Sequence, residues 1–306
     1  MTVIDTLIRN ATLIDGTGAP PFVGDVAVVD GRIHGIGSFS EQDARNVIDA
    51  RGKILSPGFI DVHTHDDLAL LKQPAMLPKI SQGVTTVIVG NCGISAAGVR
   101  LRGEPPDPMN LLGEAADFKY PSFSAYAAAI EAVRPAVNVA ALVGHTALRA
   151  NHMQQFDRPA TTHELEAMRE DLKAALEQGA LGLSTGLAYR NALQAPTTEV
   201  DFLAAILQDV GGIYVSHIRS EDDEIIEAIK QERPAHFPCR DRRPVHESSV
   251  VVAGEVRGIA FGSIPTHDVG RNRSSEQVAR LESLDTERRR VPYRTAISEG
   301  ILPESM

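Results

Sequence analysis

Ile54-Leu55-Ser56-Pro57-Gly58-Phe59-Ile60-Asp61-Val62-His63-Thr64-His65-Asp66-Asp67 reads as an apolar run that ends in two histidines spaced i, i+2. Alternate residues of a strand face the same side, so a strand here points His63 and His65 in one direction from its C-terminal end. Two neutral imidazoles held that way begin a site for zinc or another transition metal. The plain alternative is a polar strand end satisfied by backbone groups. A His-x-His pair followed by Asp66-Asp67 favours the metal.

Working outward, strand and helix patterns alternate. Residues 54–65, 84–92, 137–145, 180–188 and 212–219 read as strands. Helical patterns follow over 66–82, 122–133, 164–178, 198–210 and 221–230, the first interrupted by Pro74 and Pro78. The clearest is 164–178, where Leu165, Met168, Leu172 and Leu176 recur at helical spacing, Thr161 and Glu164 form a capping box, and Gly179 stops the helix. Repeated βα units predict an α/β fold with a parallel sheet and right-handed crossovers. In a closed (β/α)8 TIM-type barrel the active site lies at the C-terminal strand ends. Five units occupy 57–230, and three more at roughly 30 residues each do not fit the remainder, so the barrel is expected to be incomplete. Residues 1–56 predict a small β-sandwich-like domain, with turn signals at Asp15-Gly16 and Asp30-Gly31. Residues 231–306 form an atypical tail: Lys230 is the last lysine, whereas 12 of the 24 arginines follow it.

The 306-residue chain is 43% hydrophobic, enough for a real core. A net charge of -10 and a pI near 5.5 argue against nucleic acid as a partner. No secretory signal and no apolar run of membrane-spanning length is visible. Cys92 and Cys239 are too few for a disulfide scaffold. A soluble cytoplasmic protein is expected, with its cysteines available for chemistry.

Cys92, in Val89-Gly90-Asn91-Cys92-Gly93, falls at the same end of the next strand as the histidine pair, where a thiolate completes a mixed N/S set suited to Zn²⁺. A lone free cysteine is more often a small buried apolar residue. His217 ends the fifth strand and His145 the third. For His145 a ligand, a substrate-side donor and a structural role all stand open, the substrate side being favoured. The small residues of Leu183-Ser184-Thr185-Gly186-Leu187-Ala188-Tyr189 allow close approach of a ligand to the backbone, or simply make a turn. The long connection between Gly93 and Pro121 is a candidate substrate cover.

The stretches Pro57 to Asp67, Gly90-Asn91-Cys92-Gly93, Gly144-His145-Thr146, Gly182 to Leu187 and Ser216-His217-Ile218-Arg219-Ser220-Glu221 resemble the D-aminoacylases. These are the N-acyl-D-amino-acid deacylases of the amidohydrolase superfamily, and the resemblance covers about residues 5–230. It implies a small β-domain beside a metal-dependent barrel. It further implies that His63 and His65 bind one metal position, that Cys92 is a thiolate ligand at or between positions, and that His217 binds a tightly held zinc. The implied reaction is hydrolysis of a small-molecule N-acyl-D-amino acid, with Tyr189 and Arg219 as candidate partners of the substrate carboxylate. The family's sixth-strand histidine has only His246 as a weak counterpart. The eighth-strand catalytic aspartate has none, Asp268 lying too early. A truncated or frame-shifted product is therefore expected, with weak or no activity. Two alternatives accompany this reading. One is a hydantoinase-like hydrolase, which a lysine at the fourth strand end would favour, although residues 180–189 hold none. The other is a non-catalytic metal-binding fragment.

Overall fold

Five strands near the N-terminus form where apolar residues alternate: β1 (Ile4–Leu13), β2 (Phe22–Val29), β3 (Arg32–Gly37), β4 (Ala44–Asp49) and β5 (Ile54–Leu55). This computed structural model describes residues 3–231 and 250–253. The five strands make one sheet in the order β3-β2-β1-β4, with β5 also pairing β1. Asp30 and Gly31 both adopt positive φ (50° and 71°), the backbone that a tight hairpin between β2 and β3 requires. β1 is buried on both faces: Ile8 packs with Ala11, Leu13, Val26 and Ala50, while Leu7 packs with Ile4 and Ala27. The expected sandwich is thus, among the described residues, a single mixed sheet. It belongs to the first of two compact units, whose described part is residues 3–59 and 79–85.

The second unit comprises, as described, residues 60–78, 86–231 and 250–253. The remaining strands are β6 (Phe59–Asp61), β7 (Val84–Val89), β8 (Asn138–Ala141), β9 (Val143–Gly144), β10 (Gly182–Gly186), β11 (Ile213–His217) and β12 (Val250–Ala253). They form two sheets, β6-β7-β8 and β12-β11-β10-β9. β7 and β8 are parallel, as are β9, β10 and β11, as the alternating pattern predicts. One expectation fails. The run 54–65 is not one strand, because Pro57 offers no N–H and the chain pairs only over 54–55 and 59–61. β12 lies antiparallel to β11, with His217 opposite Val250. No closed barrel is present among the described residues. Ile88, Leu142, Ile213 and Val215 bury together between these strands.

The helices are α1 (Ala69–Lys72), α2 (Leu77–Ile80), α3 (Phe123–Val133), α4 (His145–His152), α5 (Thr162–Glu177), α6 (Thr197–Ala204), α7 (Leu207–Val210) and α8 (Ile225–Gln231). Pro74 and Pro78 reduce the first predicted helix to two single turns. α4 begins where a strand was predicted to end, so His145 opens a helix. None of the described helices is long and apolar enough to cross a membrane.

α5 obeys its sequence closely. Glu164 accepts from the Thr161 N–H at 2.8 Å, and its own N–H reaches the Thr161 hydroxyl at 3.3 Å. Arg158 grips the same carboxylate at 2.7 and 2.8 Å. The Arg158 hydrogen bonds, with smaller help from Thr161, hold Glu164 at about 2, below its ordinary 4.5. A depressed carboxyl stabilises fully above its unfolded value and stops doing so as pH falls through the folded one. Glu164→Ala is expected to cost about 1 kcal/mol at pH 7. The gap to wild type should narrow below pH 4.5, read as urea midpoints at pH 7 and pH 3.

Candidate metal centre

Both histidines of the opening pair lie in the loop after β6, not within a strand. Their rings stand edge to face, 5.6 Å apart. His63 is half-buried and His65 exposed. Cys92 is 3% exposed and sits beyond the end of β7. Its Sγ lies 3.0 Å from His63 Nε2 and 3.6 Å from His217 Nδ1. One ligand atom from each of His63, His65 and Cys92 falls within 4.8 Å of the other two. His217, at the end of β11, approaches this set through the thiol.

The donor chemistry suits a transition metal. Desolvation, with the neighbouring imidazoles, lowers the pKa of His63, and desolvation lowers that of His65, so both offer neutral lone pairs. Burial pushes the Cys92 thiol up to about 11, so a cation is needed to hold it as thiolate at neutral pH. Two imidazoles and a sulfur within ligand distance of one another form an N/S set of the kind zinc takes.

His217 is oriented from its other side. Glu221 Oε1 lies 3.1 Å from Nε2, which assigns the proton there and leaves the Nδ1 lone pair toward Cys92. The Tyr189 hydroxyl is 3.2 Å from the same Nδ1, and burial raises its pKa, so it remains a donor.

The other two candidates have different surroundings. Arg219 donates to the carbonyls of Leu193 (2.6 Å) and Ala195 (2.9 Å), tying down the loop before α6. His145 is fully buried, and its Nε2 lies 2.9 Å from Glu199 Oε1. Arg149 and the Ala160 N–H converge on the same carboxylate. Burial lowers the His145 pKa more than Glu199 raises it, so the ring is neutral and Arg149 carries the countercharge. His145 thus faces a buried ion pair because the chain turns into α4 there. His246 and Asp268 lie outside the described residues.

Sequence reasoning passed over the residues that shape the cysteine turn. Cys92 has φ of 54°, left-handed and uncommon for a side-chain-bearing residue. A Cβ on Gly186 would lie 2.1 Å from the Cys92 carbonyl oxygen, and one on Gly93 2.7 Å from the Gly186 N. The small residues of β10 therefore admit this turn: what approaches them here is the Cys92 backbone. Ser184 and Asp67 hydrogen-bond the turn directly. A serine in a strand of mostly small residues, and an acidic residue just past a His-x-His, were the available signals.

Comparison with known proteins gives the family. Residues 46–250 match the model of the Amidohydrolase family. The chain is 48% identical over 228 residues to an N-acyl-D-aspartate deacylase of Alcaligenes xylosoxydans xylosoxydans, covering 74% of this chain and 46% of that protein. It is 42% identical to an N-acyl-D-glutamate deacylase of the same organism, over 74% and 46% of the two chains. A solved D-aminoacylase with a binuclear metal centre superposes with a TM-score of 0.72 at 46% identity, over 74% of this chain and 48% of that one. The N-acyl-D-glutamate deacylase of Bordetella bronchiseptica, solved with zinc and a phosphonate mimic of the tetrahedral intermediate, gives 0.70 at 45%, over 75% and 48%. The chain spans about half the length of these relatives. Matched by the family model across two thirds of its length, the chain belongs to the amidohydrolase family.

Proposed function

We propose that this chain carries the zinc-binding part of an N-acyl-D-amino-acid deacylase, and that its parallel strands are part of a (β/α)8 barrel. The observation that carries the reading is the Cys92 thiol between His63 Nε2 and His217 Nδ1, at 3.0 and 3.6 Å. The deacylase relatives, at 42–48% identity, supply the substrate class.

His63 and His65 would hold one metal position and His217 another, with Cys92 shared or adjacent. Bound zinc supplies Lewis acidity, polarising the scissile amide carbonyl and lowering the pKa of water to about 7. Glu221 fixes the His217 tautomer, so that the Nδ1 lone pair faces the centre. Tyr189, protonated and beside His217, is placed to donate to the oxygen that gains charge when the carbonyl is attacked. Arg219 and His145 serve this reading through the loops and helix they brace; Tyr189 remains the candidate for direct substrate contact.

The test is a paired assay on the zinc-loaded 306-residue chain with N-acetyl-D- and N-acetyl-L-amino acids. Metal-dependent release of the D-amino acid alone is the expected result. Equal hydrolysis of both enantiomers would overturn the assignment. Bound zinc with no hydrolysis of either would leave the metal centre standing without the activity.

A further inference from the structure

Cys92 can act as a ligand only if its turn keeps the left-handed backbone that aims Sγ at His63, and that conformation costs about 1–2 kcal/mol for a residue with a Cβ. Something must over-determine it. We propose that Asp67 and Ser184 are positioning residues that clamp the Cys92 turn from two sides and hold the thiol ready before any metal arrives. The inference rests on the metal-centre reading given above and deepens it.

The hydrogen bonds around the turn close almost completely. Asp67, 1% exposed, accepts from the Gly90 N–H at 3.3 Å through one oxygen and from the Ala96 N–H at 3.0 Å through the other. Its carboxylate therefore brackets the turn at both ends. Ser184, fully buried on β10, donates its hydroxyl proton to the Gly90 carbonyl and accepts from the Gly93 N–H at 3.0 Å. One hydroxyl thus replaces two strand-type pairings across the turn. The Gly93 carbonyl accepts from the Thr146 N–H at 2.8 Å, at the start of α4. Asn91 points away and donates to the Ile88 carbonyl at 2.8 Å and, more weakly, to that of Thr64 at 3.4 Å. The latter residue lies between His63 and His65, so the two ligand loops are also tied to one another.

Neither Asp67 nor Ser184 is a ligand. Each acts on Cys92 by fixing the peptide groups on either side of it, as outer partners fix metal ligands elsewhere. Side chains from two further elements holding the turn also explain why a non-glycine residue is tolerated at positive φ. Every stabilising bond is to the backbone, so the position is free to carry a thiol.

Cobalt(II) added to the full chain is a direct probe, because a thiolate ligand produces a near-ultraviolet charge-transfer band that imidazoles do not. Wild type should show the band. Ser184→Ala and Asp67→Asn, checked for fold by circular dichroism, should bind cobalt about 10–100-fold more weakly with the band lost or reduced. Tyr126→Phe removes the 2.8 Å bond from Tyr126 to the Asp67 carbonyl and leaves the turn's own bonds in place, so it should retain the band. Wild-type affinity with an undiminished band in both clamp variants would overturn the proposal. So would a wild-type chain that binds cobalt without the band. Amide exchange needs no variant and guards against misfolding. The Gly93 and Ala96 N–H groups should be protected in metal-free protein, and protection that appears only with cobalt would mean the metal, not the clamp, makes the turn. Hydrolysis is not read in any arm. A chain that shows the band but no deacylation refutes the proposed activity and leaves the clamp in place.

Discussion

Glu199→Ala is expected to destabilise the chain by about 3–5 kcal/mol, because it strands the Arg149 guanidinium as an uncompensated buried charge. Arg149 is fully buried and Glu199 is 2% exposed. The carboxylate receives His145, Arg149 and the Ala160 N–H, while Arg149 also donates to the carbonyls of Phe156 (3.1 Å) and Arg158 (2.7 Å). The pair therefore ties α4, the 156–160 connection and α6 together. Against a typical stability of about 5–15 kcal/mol, the loss is a large share of the whole. It should appear as a lowered urea midpoint at unchanged slope. The pair's own net worth is smaller. Arg149→Met combined with Glu199→Leu should be less destabilised than Glu199→Leu alone, since no charge is then left buried. Equal loss in the single and double variants would refute this account. Burial pushes Glu199 upward, but His145 and Arg149 more than offset it and hold the carboxyl below its usual range. Its contribution is therefore full above the ordinary value of 4.5 and is lost as pH falls through the depressed one.

Cys92→Ser should weaken zinc binding by at least about 100-fold, beyond the 10–100-fold typical of losing an outer partner. Serine keeps the volume and the turn but replaces a soft sulfur with a hydroxyl that does not ionise near neutral pH. The thiol stands between His63 and His217, so its loss should remove the group that contacts both. Competition with a chromophoric zinc chelator measures the change. Thermal unfolding of the metal-free protein should move little, because the turn's hydrogen bonds run through Asp67, Ser184 and the backbone. Zinc affinity within threefold of wild type would sink the ligand role.

How much of this was readable beforehand varied with the range of the forces involved. α5 was readable almost to the residue, because its capping box and apolar spacing are local and act within a few residues. The parallel β7, β10 and β11 were readable from apolar runs of strand length bounded by glycine. α4 was not. Leu142-Val143-Gly144-His145 continues an apolar pattern, and the helix begins there because the Gly93 carbonyl, some fifty positions earlier in the chain, accepts the first N–H groups. For His145 the sequence left three roles open, and its hydrogen bond to Glu199 passed unnoticed. For Arg219, a candidate partner of the substrate carboxylate by position, the sequence did not show its hydrogen bonds to the carbonyls of Leu193 and Ala195.

By itself, the amino-acid sequence determined the candidate ligand types, the alternation of βα units and the family. These follow from chemistry and periodicity carried by short stretches. Only the tertiary structure decided that His63 and His65 lie in a loop beyond the strand, that Cys92 takes a left-handed turn, and that Asp67 and Ser184 hold it there. Those facts depend on hydrogen bonds between residues 23 to 94 positions apart, and no local pattern encodes which distant N–H a carboxylate will meet.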